Sequence, residues 1–272
     1  MSASTTGKKG PNPSPYEAFV AEYYDYLPPV AGRQDVEFYV QKAQEQGDPI
    51  LELGCGTGRV LLPLAEAGNR VVGLDLSKPM LNRCQAKLEG KPPAVRERVR
   101  LIQGDMTEFD AGEKFRLITI PFRPFQHLLR VEQQMACLSC ARRHLAPGGQ
   151  LVLDVFHTDP GRMHDPAFQQ ESSPYPEVTL PDGRRVRLSE RIAGFIRAEQ
   201  TNDVEMIYNI THPEGRTERL VFAFRLRYFF RFEMEHLLAR CGFGVKELYG
   251  NYDGRPLEDD SPEMIFVAQF KE

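Results

Sequence analysis

The sequence predicts an α/β chain with a mostly parallel sheet and an inserted antiparallel β meander. Three observations predict it. Short apolar runs alternate with helical stretches between residues 50 and 156. A glycine-rich turn follows the first of those runs. From about residue 158 the helical periodicity gives way to turn signals between alternating apolar and polar runs.

The elements follow in order. Residues 16–27 are aromatic-rich and helical in character, with Pro28-Pro29 as their stop. Residues 35–46 read as a helix capped by Asp35, with Val36, Tyr39, Val40 and Ala43 on one face. Residues 50–53 form a first strand, and the glycine turn after it opens a helix over 59–67. Residues 70–74 form a second strand ending at Asp75. Ser77 then caps a helix that has Pro79 in its first turn. Residues 99–103, 115–120 and 150–156 supply three more strands, with a helix over 131–145 before the last. Pro181-Asp182-Gly183, Thr201-Asn202-Asp203 and Pro213-Glu214-Gly215 punctuate the meander, which spans 158–230. A helix over 232–241 and strands at 243–248 and 264–270 complete the chain.

Composition narrows the class. The 272 residues suit one large domain or two small ones, and 41% apolar with 26% charged residues is ordinary for a globular chain. The net charge of −4 lacks the basic footprint of a dedicated nucleic-acid binder. Five cysteines form a sparse, odd set, read as reduced thiols of a cytoplasmic protein. Cys137 and Cys140 fall within a helix, without the second pair a metal site needs, so no metal is expected. No apolar run approaches the roughly 18 residues of a membrane span. Residues 1–15 are polar and rich in Ser, Thr, Gly and Pro, and read as a disordered tail ahead of a single domain over 16–272.

The chemistry centres on Glu52-Leu53-Gly54-Cys55-Gly56-Thr57-Gly58, between a strand and a helix. Glycines there let the backbone turn tightly and approach a ligand. A dinucleotide fingerprint would require glycine at 59, where this chain has arginine. Acidic residues Asp75 and Asp105 follow the next two strands, the ends at which parallel sheets bind ligands.

In these residues the chain resembles the class I S-adenosylmethionine-dependent methyltransferases, especially small-molecule members such as amino-sugar N-methyltransferases. Leu145-Ala146-Pro147-Gly148-Gly149 extends the resemblance. It implies a Rossmann-like seven-stranded sheet with an antiparallel last strand. It also implies S-adenosylmethionine as cofactor, cradled by Glu52, Gly54, Cys55, Gly56 and Gly58, with Glu52 toward its ammonium. Asp75 would hold the ribose hydroxyls, Asp105 the adenine amine, and Leu76, Met80 and Met106 the adenine faces. Pro121 would lie near the methionine part. Tyr24 and Arg33 are candidates for its carboxylate, Arg33 being otherwise a surface charge.

The acceptor side begins at Pro121-Phe122-Arg123-Pro124-Phe125-Gln126-His127. His127 is a candidate proton acceptor, because its ordinary pKa lies near neutrality, or else a histidine bonded to the following helix. Phe122 and Phe125 would wall the acceptor pocket, and Arg123 reads as a surface charge. Arg225 and Arg227 share a strand face that would meet an acidic substrate or solvent, and Tyr252 lies in a loop near the pocket in relatives. The expected reaction is methyl transfer to nitrogen or oxygen of a small molecule. RNA or protein methylation and non-catalytic cofactor binding stand as alternatives. The insertion is the surface through which a homodimer would form.

Overall fold

The computed structural model describes residues 16, 18–162 and 165–270. The expected disordered tail, residues 1–15, lies outside the described residues. In chain order the elements are α1 (Ala18–Tyr23), α2 (Pro28–Ala31), α3 (Val36–Gln46), β1 (Ile50–Leu53), α4 (Leu61–Glu66), β2 (Val71–Asp75), α5 (Lys78–Glu89) and α6 (Pro93–Arg96). Next come β3 (Val99–Gln103), β4 (Phe115–Ile120), α7 (Val131–His144), β5 (Leu145–Phe156), β6 (Val178–Thr179), β7 (Arg185–Ile196), β8 (Thr201–Thr211) and β9 (Thr217–Arg227). The described chain closes with α8 (Arg231–Arg240), β10 (Phe243–Tyr249) and β11 (Glu263–Phe270).

The main sheet has the order β10-β11-β5-β4-β1-β2-β3. β1 pairs in parallel with β2 and β4, β2 with β3, and β4 with β5, whereas β11 runs antiparallel to both β5 and β10. The chain leaves β1 toward β3 on one side and returns to β4 on the other. That reversal opens a crevice at the carboxyl ends of β1 and β4.

Alternate strand residues serve opposite faces. Leu51, Leu53, Ile118, Ile120, Leu151 and Leu153 pack with α7 and α8 through Leu138, Met234 and Leu238. Ile50, Val71, Leu117 and Val152 pack on the other face with Tyr39, Leu61, Leu64 and Leu81 of α3, α4 and α5. Helices on both faces are why β1 and β4 read as nearly unbroken apolar runs.

The second sheet, β6-β7-β8-β9, lies between β5 and α8 in sequence and is antiparallel throughout. Its inner face, including Val186, Leu188, Tyr208, Ile210 and Phe222, packs on Val20, Ala21 and Tyr23 of α1. α1 is thereby held beside the crevice.

Three local expectations need correction. Pro28 and Pro29 open α2 rather than ending structure, since proline suits a first helical turn. The turn before them is a short 3₁₀ segment, Tyr24–Tyr26. Asp35 makes no side-chain cap to α3, because Arg33 and Arg59 take its carboxylate. Ser77 does cap α5, accepting from the Met80 N–H at 3.3 Å.

Candidate active site

The three glycines after β1 are glycines for three different reasons. All have positive φ, at 74°, 54° and 80° for Gly54, Gly56 and Gly58. A Cβ on Gly54 would come within 2.6 Å of Pro124 Cγ, so this glycine admits the acceptor-side turn. A Cβ on Gly58 would come within 2.5 Å of Cys84 Sγ, so this one seats the loop on α5. A Cβ on Gly56 would meet nothing within 4 Å. Open space next to Gly56 is where a ligand can reach the backbone.

That space belongs to a cavity of about 380 Å³ at the ends of β1, β2, β3 and β4. Of the expected cofactor residues, Tyr24, Glu52, Gly54, Cys55, Gly56, Asp75, Leu76, Met80, Asp105, Met106 and Pro121 all line it. Gly58 does not line it and acts through packing instead. Arg33 is also absent from the lining, and it is not a surface charge. It lies largely buried beneath Phe122, bound to Asp35 at 2.7 Å, Tyr252 at 2.6 Å and Glu263 at 3.0 Å.

Each carboxylate has a distinct state. Glu52 is 2% exposed, and its Oε2 has no hydrogen-bond partner among the described residues. Burial pushes its pKa well above the ordinary carboxylate range, with Arg59 pulling the other way. Asp75 Oδ2 accepts from the Gly56 N–H and Oδ1 from the Ser77 N–H, both at 2.7 Å. Burial raises its pKa, and those N–H donors oppose the rise. A carboxylate has about four acceptor positions, so two N–H donors leave capacity for ligand hydroxyls. Asp105 Oδ1 accepts from the Thr107 N–H at 2.8 Å and hydroxyl at 2.7 Å.

Arg59 was legible in sequence only as a missing glycine. It lines the cavity and pairs with Asp35 through its two terminal guanidinium nitrogens, one at 2.8 Å. The signal was its place directly after the glycine loop, where a cation can face a ligand carboxylate. Tyr16, Thr57, Pro124, Gln133 and Phe224 also line the cavity without having been singled out.

At the acceptor end, His127 and Phe122 line the cavity as expected. The Tyr16 hydroxyl lies 3.3 Å from His127 Nε2, and Tyr16 and Phe224 pack on the imidazole with centroids 5.6 Å away. Burial lowers the His127 pKa to about 4, so the ring is neutral at neutral pH. Arg225 lines the cavity with its charge met by Asp203, at 2.6 and 3.0 Å.

Three expected acceptor residues lie elsewhere. Phe125 is fully buried against Phe229 in the core under the Pro124–His127 turn. Arg227 turns to Glu233 at 2.8 Å and the Glu199 carbonyl at 2.9 Å. Tyr252 donates to Asp154 Oδ2 at 2.8 Å, accepts from Arg33 and does not line the cavity. Arg123, read as a surface charge, pairs with Glu263 and stacks on Phe156 at 3.4 Å.

Comparisons with known proteins place the chain in a family and bear on its fold. Residues 50–149 match the methyltransferase domain family. A cypemycin N-terminal methyltransferase of Streptomyces sp is 30% identical over 264 residues, covering 95% of this chain and 98% of its own. The dTDP-3-amino-3,4,6-trideoxy-alpha-D-glucopyranose N,N-dimethyltransferase of Streptomyces venezuelae is 25% identical over 248 residues, covering 89% and 97%. Among solved structures, S-adenosylmethionine-bound CalS10, an amino pentose methyltransferase from Micromonospora echinaspora, is 25% identical with a TM-score of 0.68. It covers 94% of this chain and 98% of that one.

Proposed function

This chain belongs to the S-adenosylmethionine-dependent methyltransferases, and from that premise we propose that it methylates an amine nitrogen of a small acceptor held at the His127 end of the cavity. The residues present fit the cofactor. The unsatisfied Glu52 Oε2 suits an ammonium, the open side of Gly56 admits close backbone approach, and Arg59 suits a carboxylate. Asp75 and Asp105 would hold the ribose and adenine, between Leu76, Met80 and Met106. When bound, S-adenosylmethionine supplies a methyl group on a sulfonium whose departure leaves a neutral thioether.

The chain's own work is to orient the acceptor and exclude water. The observation that carries the amine reading is the wall of Tyr16, Tyr24, Phe122, His127 and Phe224, next to an Arg225 already neutralised by Asp203. Aromatic faces attract, through cation–π interaction worth about 0.5–2 kcal/mol, the positive charge that develops on an amine nitrogen as it takes up the methyl group. The neutral imidazole offers a hydrogen bond to an acceptor N–H without adding positive charge. At a pKa of about 4 it does not retain a proton at neutral pH, so the acceptor binds as the free amine. The named relatives act on a sugar amine and on an N-terminal amine, which frames the acceptor classes.

The test is an assay of paired amines and alcohols, namely amino sugars, short peptides with free N-termini and their hydroxyl counterparts. S-adenosylhomocysteine binding is measured alongside. Methyl transfer to amines alone is expected, and transfer confined to hydroxyls would overturn the reading. We further propose a cytoplasmic protein that pairs as a homodimer through β9. Five free buried cysteines support the first, and the edge position of β9 with Val221 46% exposed supports the second. No helix among the described residues is long and apolar enough to cross a membrane. Sedimentation at micromolar concentration decides the oligomeric state, and a monomer would refute the pairing.

A further inference from the structure

The turn that carries Phe122 into the cavity is strained. Phe122 and Arg123 have φ of 65° and 68°, two consecutive non-glycine residues in the left-handed region. That region crowds Cβ against the backbone, so neighbouring contacts must hold the conformation. The contacts come from two strands deeper in the sheet. Asp154, fully buried on β5, accepts from the Phe122 N–H at 2.8 Å and the Tyr39 hydroxyl at 3.0 Å through Oδ1. Its Oδ2 accepts from the Tyr252 hydroxyl at 2.8 Å and faces Arg33 at 3.5 Å. Glu263, on the paired strand β11, binds Arg123, and Arg123 stacks on Phe156. Neither Asp154, Tyr39, Tyr252 nor Glu263 lines the cavity, whereas Phe122 does.

We propose that Asp154 is a positioning residue for methyl transfer: it clamps the left-handed Phe122–Arg123 turn and thereby fixes the Phe122 ring as the cavity wall that aligns the acceptor. The guanidinium carbons of Arg33 and Arg59 lie 4.5 and 5.3 Å from the ring centroid, Arg33 outside the cavity lining and Arg59 within it. On the cavity side Tyr24 lies 6.4 Å away. The clamp therefore reaches the acceptor through Phe122, while its link to the cofactor end runs only through Arg33 and Asp35 to Arg59, pairs that Asp154→Asn leaves in place. The inference rests on the proposed amine transfer, but only for the identity of the acceptor.

The test is a double-mutant cycle of Asp154→Asn and Phe122→Ala, with S-adenosylhomocysteine affinity, acceptor kcat and KM, and melting temperature measured on each protein. Asp154→Asn keeps an oxygen for the Phe122 N–H but weakens the clamp, and Arg33 retains Asp35 and Glu263 as partners. Asp154→Asn is expected to lower acceptor kcat/KM by about 10–100-fold while S-adenosylhomocysteine affinity stays within about 3-fold, since a small misplacement of reacting groups costs about that much. Phe122→Ala should cost a similar factor, and the double variant no more than Phe122→Ala alone. Multiplicative losses would overturn the proposal, as would an Asp154→Asn protein with unaltered acceptor kinetics. If Asp154→Asn fails to fold, Tyr252→Phe removes one donor from Oδ2 and should give a smaller loss that Phe122→Ala likewise absorbs. Failure of the wild-type chain to bind S-adenosylhomocysteine would instead refute the cofactor reading, and this role with it.

Discussion

The two ends of the cavity are built from different parts of the chain. The cofactor end is made by strand termini and the backbone between them: the Gly56 N–H bonds Asp75, the Ser77 N–H bonds the same carboxylate, and Gly54 and Cys55 N–H groups both bond the Leu74 carbonyl. The acceptor end is made by side chains from three remote segments: Tyr16 before α1, His127 in a turn after β4, and Phe224 on β9 of the second sheet. A backbone-built end is fixed by local spacing and the parallel register. A side-chain-built end depends on how separate segments happen to pack, and can change ligand without disturbing the sheet.

The difference is sharpest in the glycine loop, where Gly56→Val should have the largest effect. The side chain would fill open space beside Asp75 and impose a β-branched residue at φ 54°. We expect S-adenosylhomocysteine affinity to fall by about 100-fold or more, roughly 2.7 kcal/mol, by calorimetry. Gly58→Ala is the control, because its Cβ would strike Cys84 rather than ligand. It should lower the melting temperature while the folded fraction still binds. Equal loss of affinity in both would remove the distinction between them.

Legibility in the sequence follows the same division. Glu52, Gly54, Gly56, Asp75 and Asp105 were marked by their places at strand ends and in the loop after β1, together with the family resemblance that those places carry, and all of them line the cavity. Phe125 and Phe122 are three residues apart in one aromatic run, yet one is core and the other cavity wall. The left-handed turn at 122–123 and the short helical turn over Pro124–His127 separate their directions, and no composition signal marks the first. Arg33 and Tyr252 misled for a related reason. They do approach the site, but their charge and hydroxyl are spent on Asp154 and Glu263 beneath it.

Glu52→Gln probes the cofactor end more gently. The amide keeps shape and loses charge, so an ammonium contact should weaken by about 10-fold in S-adenosylhomocysteine affinity, roughly 1.4 kcal/mol. The same substitution should alter the stability profile of the cofactor-free protein. The folded pKa of Glu52 is raised above its ordinary value of 4.5, so folded chains hold a proton that unfolded chains release. That contribution is complete below the ordinary value and is lost as pH rises through the folded pKa. Glu52→Gln should flatten this decline and raise the melting temperature at neutral pH. A variant that binds as tightly as the parent would remove Glu52 from the ammonium contact.

His127→Asn should have the smallest effect on turnover, and its pH behaviour separates two roles. Because the imidazole is already neutral at neutral pH, with its pKa lowered to about 4 by burial, no rate change tied to its titration is expected between pH 6 and 8. Losing a hydrogen-bonding wall should reduce kcat by less than about 10-fold. Loss of a general base would typically cost about 10²–10⁴-fold. Stability gives an independent readout with a defined sign. The unfolded histidine protonates near 6.5 and the folded one near 4, so the unfolded state binds the extra proton between those values. The parent should therefore lose stability as pH falls from about 6.5 to about 4, and His127→Asn should lose less over that window. A kcat loss beyond 10²-fold, with an acid limb near pH 6 in the parent that disappears in the variant, would make His127 the proton acceptor after all. It would also move control of the reaction from positioning by the aromatic wall to acid–base chemistry at one ring nitrogen.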